Sequence, residues 1–523
     1  MRYFSLVIPP FVALAILMIL PPHSVRADGK MDVWAMIHEG KDAEVRQRLA
    51  SNDLAEQRAA FDAFFTSDPV VGAFSEKLLA ETPDDAKAMT ARGQYLLATG
   101  WQMRGGGYRQ TVFPEAAERM HRLHAEAEAL AIAALAADPK LVPASDLRIS
   151  VSMTMGHTAI VPDEFQRVMD LVPTRRSLLI AAYALAPQWG GSAEYGPRMC
   201  EAWADKVTDV KAYTVQICKI DVVFAANYPW ELQEKALEKI GGLTHPVLDA
   251  PRLRLITNGL TPPAQQLAVF KELANSGEMT LRLAAKREAL EGNAGGNVPP
   301  GMPSAAALAK YLPRMRAEAD FDPGDSIALS LYTDALVWQA NLNGTPFPAD
   351  EVETRFGRLF AIAPYDPDTW SRFAYYRGMF LDQTTMTIEG VEAARSGFIN
   401  AVYYSNNDVE FVSSLLSFNQ EFWDALDKRN LDALDATGEP AFDREAFNAG
   451  VVCPTIRSVR VLDSMCEGGG ARPEYCPDYS SMMGGDPRPK LIKRAEARKA
   501  CAAELSADVE DLLYTAVPFD LPQ

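Results

Sequence analysis

Arg104-Gly105-Gly106-Gly107-Tyr108-Arg109 is the stretch of this 523-residue chain whose residue types come nearest to a binding device. Three successive glycines cost backbone entropy on folding, so they imply unusual φ angles or a close approach of backbone to another group. Consecutive N–H groups flanked by two arginines suit an anion such as a carboxylate, and a carboxylate-bearing peptide is the ligand expected here. The alternative is structural. Trp101 and Tyr108 would pin the loop onto a neighbouring hairpin while Arg104 caps helix carbonyls.

Other patterns carry less chemistry. His121 and His124 stand three apart on a helical face, with Glu118 one turn earlier, a spacing that a metal site can use. The chain has no H-E-x-x-H, and two histidines on a long amphipathic helix are usually solvated or partly packed, so neither a metal nor a cofactor is expected. No G-x-S-x-G elbow exists. Gly190-Gly191-Ser192-Ala193-Glu194 fails at its last position and reads as a turn, with Ser192 as N-cap of the next helix. Neither the phosphate-binding G-x-x-x-x-G-K-[ST] nor the dinucleotide G-x-G-x-x-G occurs. Asp320-Phe321-Asp322-Pro323-Gly324-Asp325 lacks the fifth and twelfth ligands of a calcium loop and reads as a helix-entry turn. The many carboxylates cannot be sorted into acids and bases without distances, so the catalytic residues remain unknown.

Six cysteines are present: Cys200, Cys218, Cys453, Cys466, Cys476 and Cys501. Their spacings match no zinc pattern, and an even number in an exported chain favours disulfides. Cys200 and Cys218 fall on adjacent predicted helices of an antiparallel hairpin and are expected to bond. The other four allow three pairings, of which Cys466–Cys476 with Cys453–Cys501 is preferred.

The elements that must carry these residues are helical nearly throughout. From Pro114 to Asp138, Met120, Leu123, Ala127, Leu130, Ala131 and Ala134 recur at steps of three and four. Pro114 suits a first helical turn and Asp138-Pro139 a stop. Ala127, Ala131, Ala134 and Pro139 have the spacing of small residues in the second helix of a tetratricopeptide repeat. Ala394, Phe398 and Ala401 repeat it, with Asn406 where proline would stand. Trp370 and Phe373 suit the preceding helix, before an enlarged loop from Gln383 to Gly390. Ala182 and Pro187 fit more weakly. Asn343-Gly344 reads as a helix end. The fold class expected is all-α: an irregular, tetratricopeptide-like solenoid of helical hairpins with a Cys-containing irregular C-terminal region.

The expected divisions are a leader over 1–27, an N-terminal helical-repeat domain over 28–291, and a Gly/Pro linker over 292–303. A second helical-repeat region then covers 304–450, and a disulfide-bearing loop with a final charged helix from about Lys490 to Tyr514 covers 451–523. The leader rests on Arg2, the apolar run Phe4 to Leu20 interrupted by Pro9 and Pro10, and the small-x-small site Val25-Arg26-Ala27. The interruption favours a removed signal peptide over a membrane anchor, and so a periplasmic or secreted protein. Removing Arg2 and Arg26 takes the formal net charge from −18 to −20. Such an acidic surface repels phosphates, so nucleic acid is excluded as the main partner.

The segment from about Ala91 to Ala204 resembles a bacterial family, domain of unknown function 4034. The resemblance is carried by Trp101-Gln102-Met103-Arg104-Gly105-Gly106-Gly107-Tyr108, the Ala-rich helix ending in Asp138-Pro139, Pro173-Thr174-Arg175-Arg176-Ser177, and Pro187-Gln188-Trp189-Gly190-Gly191-Ser192. It implies helical repeats and no activity. The function expected is that of a periplasmic module binding an unidentified protein or peptide, or serving as a scaffold. The alternative is a cell-envelope hydrolase with a carboxylate site in an inter-helical groove.

Overall fold

Helix Pro114–Ala137 shows how the sequence makes its elements. Proline opens it, where a missing N–H costs nothing, and Glu115 lies in the electropositive first turn. Met120, Ala127, Ala131 and Ala134 are buried, as their spacing requires. The Asp138 N–H closes on the Ala134 carbonyl, and Pro139 follows. The alanine face lets helices Ala86–Arg104 and Val142–Met155 come close, so that Leu96, Leu97, Ala127, Ala131, Leu147 and Val151 form one core.

The computed structural model describes residues 23–106, 112–226, 228–240, 243, 245–249, 251–252, 263–273, 281–291, 303–379, 386–467 and 488–518. The fold is all-α, with no strand among the described residues. None of the described helices is long and apolar enough to cross a membrane. The apolar run Phe4 to Leu20, on which the leader rests, lies outside them.

The chain groups into two compact units. The first comprises Met1–Gln102 and Glu118–Pro348, the second Met103–Ala117 and Ala349–Gln523. The expected boundary at 292–303 therefore does not divide them. Most of that stretch lies outside the described residues, but the helices on either side of it pack together. Phe270, Leu281 and Ala284 share a core with Ala307, Leu308 and Ala335. The Ser304 N–H and hydroxyl both donate to Glu288, at 2.9 and 2.8 Å, and the Ser304 Oγ caps helix Ala305–Phe321.

In the first unit, Gly156 and Gly344 end helices Val142–Met155 and Ser326–Asn343 in the left-handed conformation. Asp325 caps the N-terminus of the latter through the Ile327 and Ala328 N–H groups, so Asp322–Asp325 is a helix-entry turn, while Asp320 and Phe321 close the helix before it. Cys200 of helix Tyr195–Trp203 bonds Cys218 of helix Val215–Ala225, and both are fully buried. Gly190 is left-handed and ends the turn Pro187–Trp189. The N-cap of the helix that follows is Glu194 rather than Ser192. The Ser192 hydroxyl accepts the Glu194 N–H, closing a turn just before the helix begins.

In the second unit, helices Pro367–Met379 and Ile388–Tyr404 form the hairpin that the small-residue spacing implies. Trp370, Phe373, Ala394, Phe398 and Ala401 are all buried. Thr387 caps the second helix, so Gly390 lies inside it and the loop ends earlier than expected. Asn406 ends that helix by adopting φ 57°, a left-handed cap doing the work of the expected proline.

The C-terminal region departs furthest from expectation. Cys453–Glu467 is an α-helix preceded by a π-helical turn, Asn448–Val452, not an irregular loop. Val451, Val452, Ile456, Val459 and Leu462 bury its apolar face against Leu415, Phe422 and Trp423 of helix Val409–Thr437. The expected final helix breaks into Arg488–Ala497, Ala502–Ser506 and Val509–Leu512. Lys499 and Cys501 adopt left-handed φ angles there, and the Ala500 N–H folds back on the Ala495 carbonyl. Cys453 bonds Cys501, as expected. Cys466 is also disulfide-bonded, and Cys476, its expected partner, lies outside the described residues.

Candidate functional site

Asp366 stands immediately before helix Pro367–Met379 and caps it. Its Oδ2 accepts the Thr369 N–H at 3.1 Å and the Thr369 hydroxyl at 2.5 Å, and Pro367 takes the first helical position. Its other oxygen accepts the Gly106 N–H at 3.2 Å. Gly105 is left-handed at φ 73°, and a Cβ there would meet the Asp366 Oδ1 at 2.2 Å. The glycine stretch thus signals a close approach to a carboxylate, and the carboxylate is the chain's own. The Arg104 guanidinium donates to the Gly105 carbonyl at 3.1 Å. Gly107, Tyr108 and Arg109, the rest of the expected ligand-binding set, lie outside the described residues.

A cluster of rings belongs to the same unit. The Phe113 ring lies 5.1 Å from Tyr404, 5.3 Å from Tyr365 and 5.7 Å from Tyr403. Tyr404 in turn faces Tyr365 at 5.5 Å and Trp370 at 6.1 Å. Phe113 and the three tyrosines are all partly exposed, while Trp370 is buried and donates to the Pro364 carbonyl at 2.8 Å.

Asp368, in the first turn of the same helix, is pushed up to about 7. Burial is the first cause and the charge of Asp366 the second, with Glu410 adding and Arg372 opposing. The folded state holds this proton between the ordinary carboxylate value of 3.8 and about 7. Its contribution to stability is therefore complete below that window and lost as pH rises through it. Asp368→Asn is expected to raise stability at pH 8 by about 1–2 kcal/mol, allowing for partial exposure, and to change nothing near pH 4. Thermal melts across that range test it, and a uniform offset between the two proteins would reject it.

The histidine pair is not brought together. His121 is exposed, whereas His124 is fully buried under Trp101, at a ring separation of 5.7 Å. The His124 Nε2 meets the Leu97 carbonyl at 3.1 Å and its Nδ1 the Thr154 hydroxyl at 2.8 Å. Burial lowers it to about 4, so the ring is neutral at pH 7. Gly100 makes room, since a Cβ there would meet the His124 Nε2 at 2.4 Å. Trp101 also contacts Trp189 at 5.8 Å, which holds the end of helix Ala86–Arg104; Tyr108, the second ring of the structural alternative, lies outside the described residues. Among the described residues, the one group of three with metal-ligand spacing is Cys453, Cys501 and Glu504, and its two sulfurs are joined in the disulfide.

The charged groups that the sequence does not reveal are ion pairs within the first unit. Pro173-Thr174-Arg175-Arg176-Ser177 caps and opens helix Arg175–Ala184. Arg175 grips Asp221 at 2.6 and 2.7 Å, and the Tyr213 hydroxyl donates to Asp221 as well. Arg176 grips Asp62 at 2.6 and 2.5 Å. Thr174 and Ser177 accept from Arg58, whose guanidinium also pairs with Asp146. The acidic partners of Arg175, Arg176 and Arg58 lie 46, 114 and 88 residues away in sequence.

Comparison with known proteins adds no identity. No family model matches the chain, and no curated protein matches it.

Proposed function

We propose that this is an exported helical-repeat module that binds a protein or peptide partner. The observation that carries this reading is the partly exposed ring cluster of Phe113, Tyr365, Tyr403 and Tyr404 on a helical-hairpin frame. Tyrosines supply large, stiff contact area at low entropic cost and are enriched in recognition surfaces. Stacked helical hairpins commonly hold peptides or proteins. The cysteine pairing suits an oxidising compartment, which favours the periplasm or the exterior.

The test is a crosslinked pull-down from the native host's periplasm, comparing wild type with a Tyr403→Ala, Tyr404→Ala double variant. One abundant partner that is lost with the variant supports a binding module with its site at the rings. A partner retained equally by both proteins moves the site elsewhere, and no partner with either protein removes the reading.

A hydrolase is the second reading, and Asp368 is the observation that favours it. A carboxyl group held protonated near neutrality beside a second carboxylate is the pattern of a general acid. Both oxygens of Asp366 are already engaged by the helix cap and by Gly106, so the neighbour is poorly placed to act as a base. Turnover of cell-envelope fragments that disappears with Asp368→Asn would promote this reading over the first.

A further inference from the structure

In the second unit, Leu512 to Val517 is held by side chains of other helices rather than within a helix of its own. After the short helix Val509–Leu512 the backbone runs out extended, with Leu513 at φ −57° and ψ 147°. Arg457 of helix Cys453–Glu467 forks onto two successive carbonyls, its Nε donating to Leu512 and its Nη2 to Leu513, both at 2.7 Å. The Tyr514 N–H donates to the Asn407 Oδ1 at 3.0 Å. Asn400 of helix Ile388–Tyr404 takes both backbone groups of Val517. Its Oδ1 accepts the N–H at 2.9 Å and its Nδ2 donates to the carbonyl at 3.2 Å. Three side chains thus satisfy five backbone groups, which is how a receptor grips an extended peptide whatever its sequence.

One side chain of the segment is read as well. The Tyr514 ring is buried, with the Arg457 guanidinium 4.6 Å from its centre, and its hydroxyl meets the Ser458 hydroxyl at 2.8 Å. Ser458 is fully buried and is fixed by the Asn419 amide, which donates to it at 3.0 Å. Asn419 is held in turn by the Arg395 Nε at 2.5 Å. The polar floor under the ring is therefore set by helices other than the segment's own. Leu513, Thr515 and Ala516 are exposed.

We propose that Arg457, Ser458, Asn407 and Asn400 form a peptide-binding groove for an extended segment with tyrosine at the 514 position, and that the chain's own Leu512–Val517 is its resident occupant. The grip does not depend on a covalent link to the rest of the chain. Each of these contacts is made to backbone or to the tyrosine, so a separate peptide of the same pattern remakes all of them. Tyrosine is demanded because phenylalanine would take a partner from the buried Ser458 hydroxyl, and a smaller residue would leave the pocket unfilled. The exposed positions 515 and 516 accept any residue. The groove stands on these contacts and not on the ring cluster of Phe113, Tyr365, Tyr403 and Tyr404, and the two sites are tested with different variants.

The probe is a fluorescently labelled synthetic peptide with the sequence of residues 509–518, added to the full-length protein and followed by anisotropy. Wild type should bind it weakly, because the tethered segment competes at an effective concentration on the order of millimolar. A full-length Tyr514→Ala variant weakens that competitor and leaves Arg457, Ser458, Asn407 and Asn400 in place. It should bind the peptide about tenfold more tightly or better. A peptide carrying Tyr514→Ala should lose this binding, and one carrying Tyr514→Phe should bind several-fold more weakly than the parent. Adding Asn400→Ala to the protein variant should lower the affinity by about tenfold, since two backbone hydrogen bonds go with it. Circular dichroism checks that the variants fold, and Tyr514→Leu serves in place of Tyr514→Ala if that protein does not. Equal affinity for wild type and variant overturns the proposal, as does absence of binding to both. Binding that ignores the tyrosine of the peptide or the loss of Asn400 overturns it too, because the peptide would then be held somewhere else.

Discussion

Asp146→Ala is expected to lower unfolding stability by about 3–5 kcal/mol, because it leaves a buried guanidinium without its countercharge. Arg58 is 1% exposed and Asp146 2%. Asp146 accepts from the Arg58 Nε at 3.1 Å, from its Nη2 at 2.8 Å and from the Ser177 hydroxyl at 2.9 Å. Without the carboxylate, Arg58 keeps only the hydroxyls of Thr174 and Ser177, at 2.9 and 2.6 Å. Two neutral acceptors cannot replace a charge in a site closed to water. Folded domains have only about 5–15 kcal/mol in total, so the loss is a large share of it. A urea titration measures it, and a midpoint shift equivalent to less than about 1 kcal/mol would show that water reaches Arg58 after all.

The companion experiment separates the pair from its burial. Replacing both partners, as in Arg58→Met with Asp146→Leu, removes the charges together and is expected to recover most of the loss. Arg176 lies close enough to be influenced by Asp146, so single substitutions at Asp62 and Asp146 are expected not to add.

How much of this was legible follows from what a linear sequence can encode. Helices with one apolar face announced themselves, since Met120, Ala127, Ala131 and Ala134 repeat at the helical period. Local stops such as Asp138-Pro139 and Asn343-Gly344 were equally plain, because a cap is chemistry between near neighbours. The close backbone approach that the glycines imply is present at Gly105, but the group approached is the chain's own Asp366 and not a ligand. That partner was not visible, because Asp366 is 260 residues from Gly106. Distance in sequence likewise hides Arg58 from Asp146, 88 residues away, and Arg176 from Asp62, 114 residues away. The helix Cys453–Glu467 departs from the expected irregular loop for a different reason. Ile456, Val459 and Leu462 carry an ordinary apolar stripe, but the neighbouring cysteines and the Gly468-Gly469-Gly470 run favour an irregular region on composition. The final charged run looked continuous because nothing in Lys499 or Cys501 signals a left-handed backbone. Only the packing of Ala495, Ala500 and Cys501 into the second unit's core shows why the chain turns there.

That last region carries the second large expectation. A Cys453→Ser, Cys501→Ser protein should lose about 4 kcal/mol if chain entropy alone decides, since this bond closes 48 residues. The 18-residue closure of Cys200–Cys218 corresponds to about 3 kcal/mol on the same basis. The loss should also be local. Ala502–Ser506 and Val509–Leu512 are far too short to hold as isolated helices. They are kept in place by the disulfide, by Arg457 donating to the Leu512 and Leu513 carbonyls, and by Asn400 exchanging two hydrogen bonds with Val517. Limited proteolysis of the double variant should therefore cut first between 497 and 518, while the helices before Cys453 stay protected. Cleavage spread evenly over the second unit would instead mean that the disulfide supports the whole core.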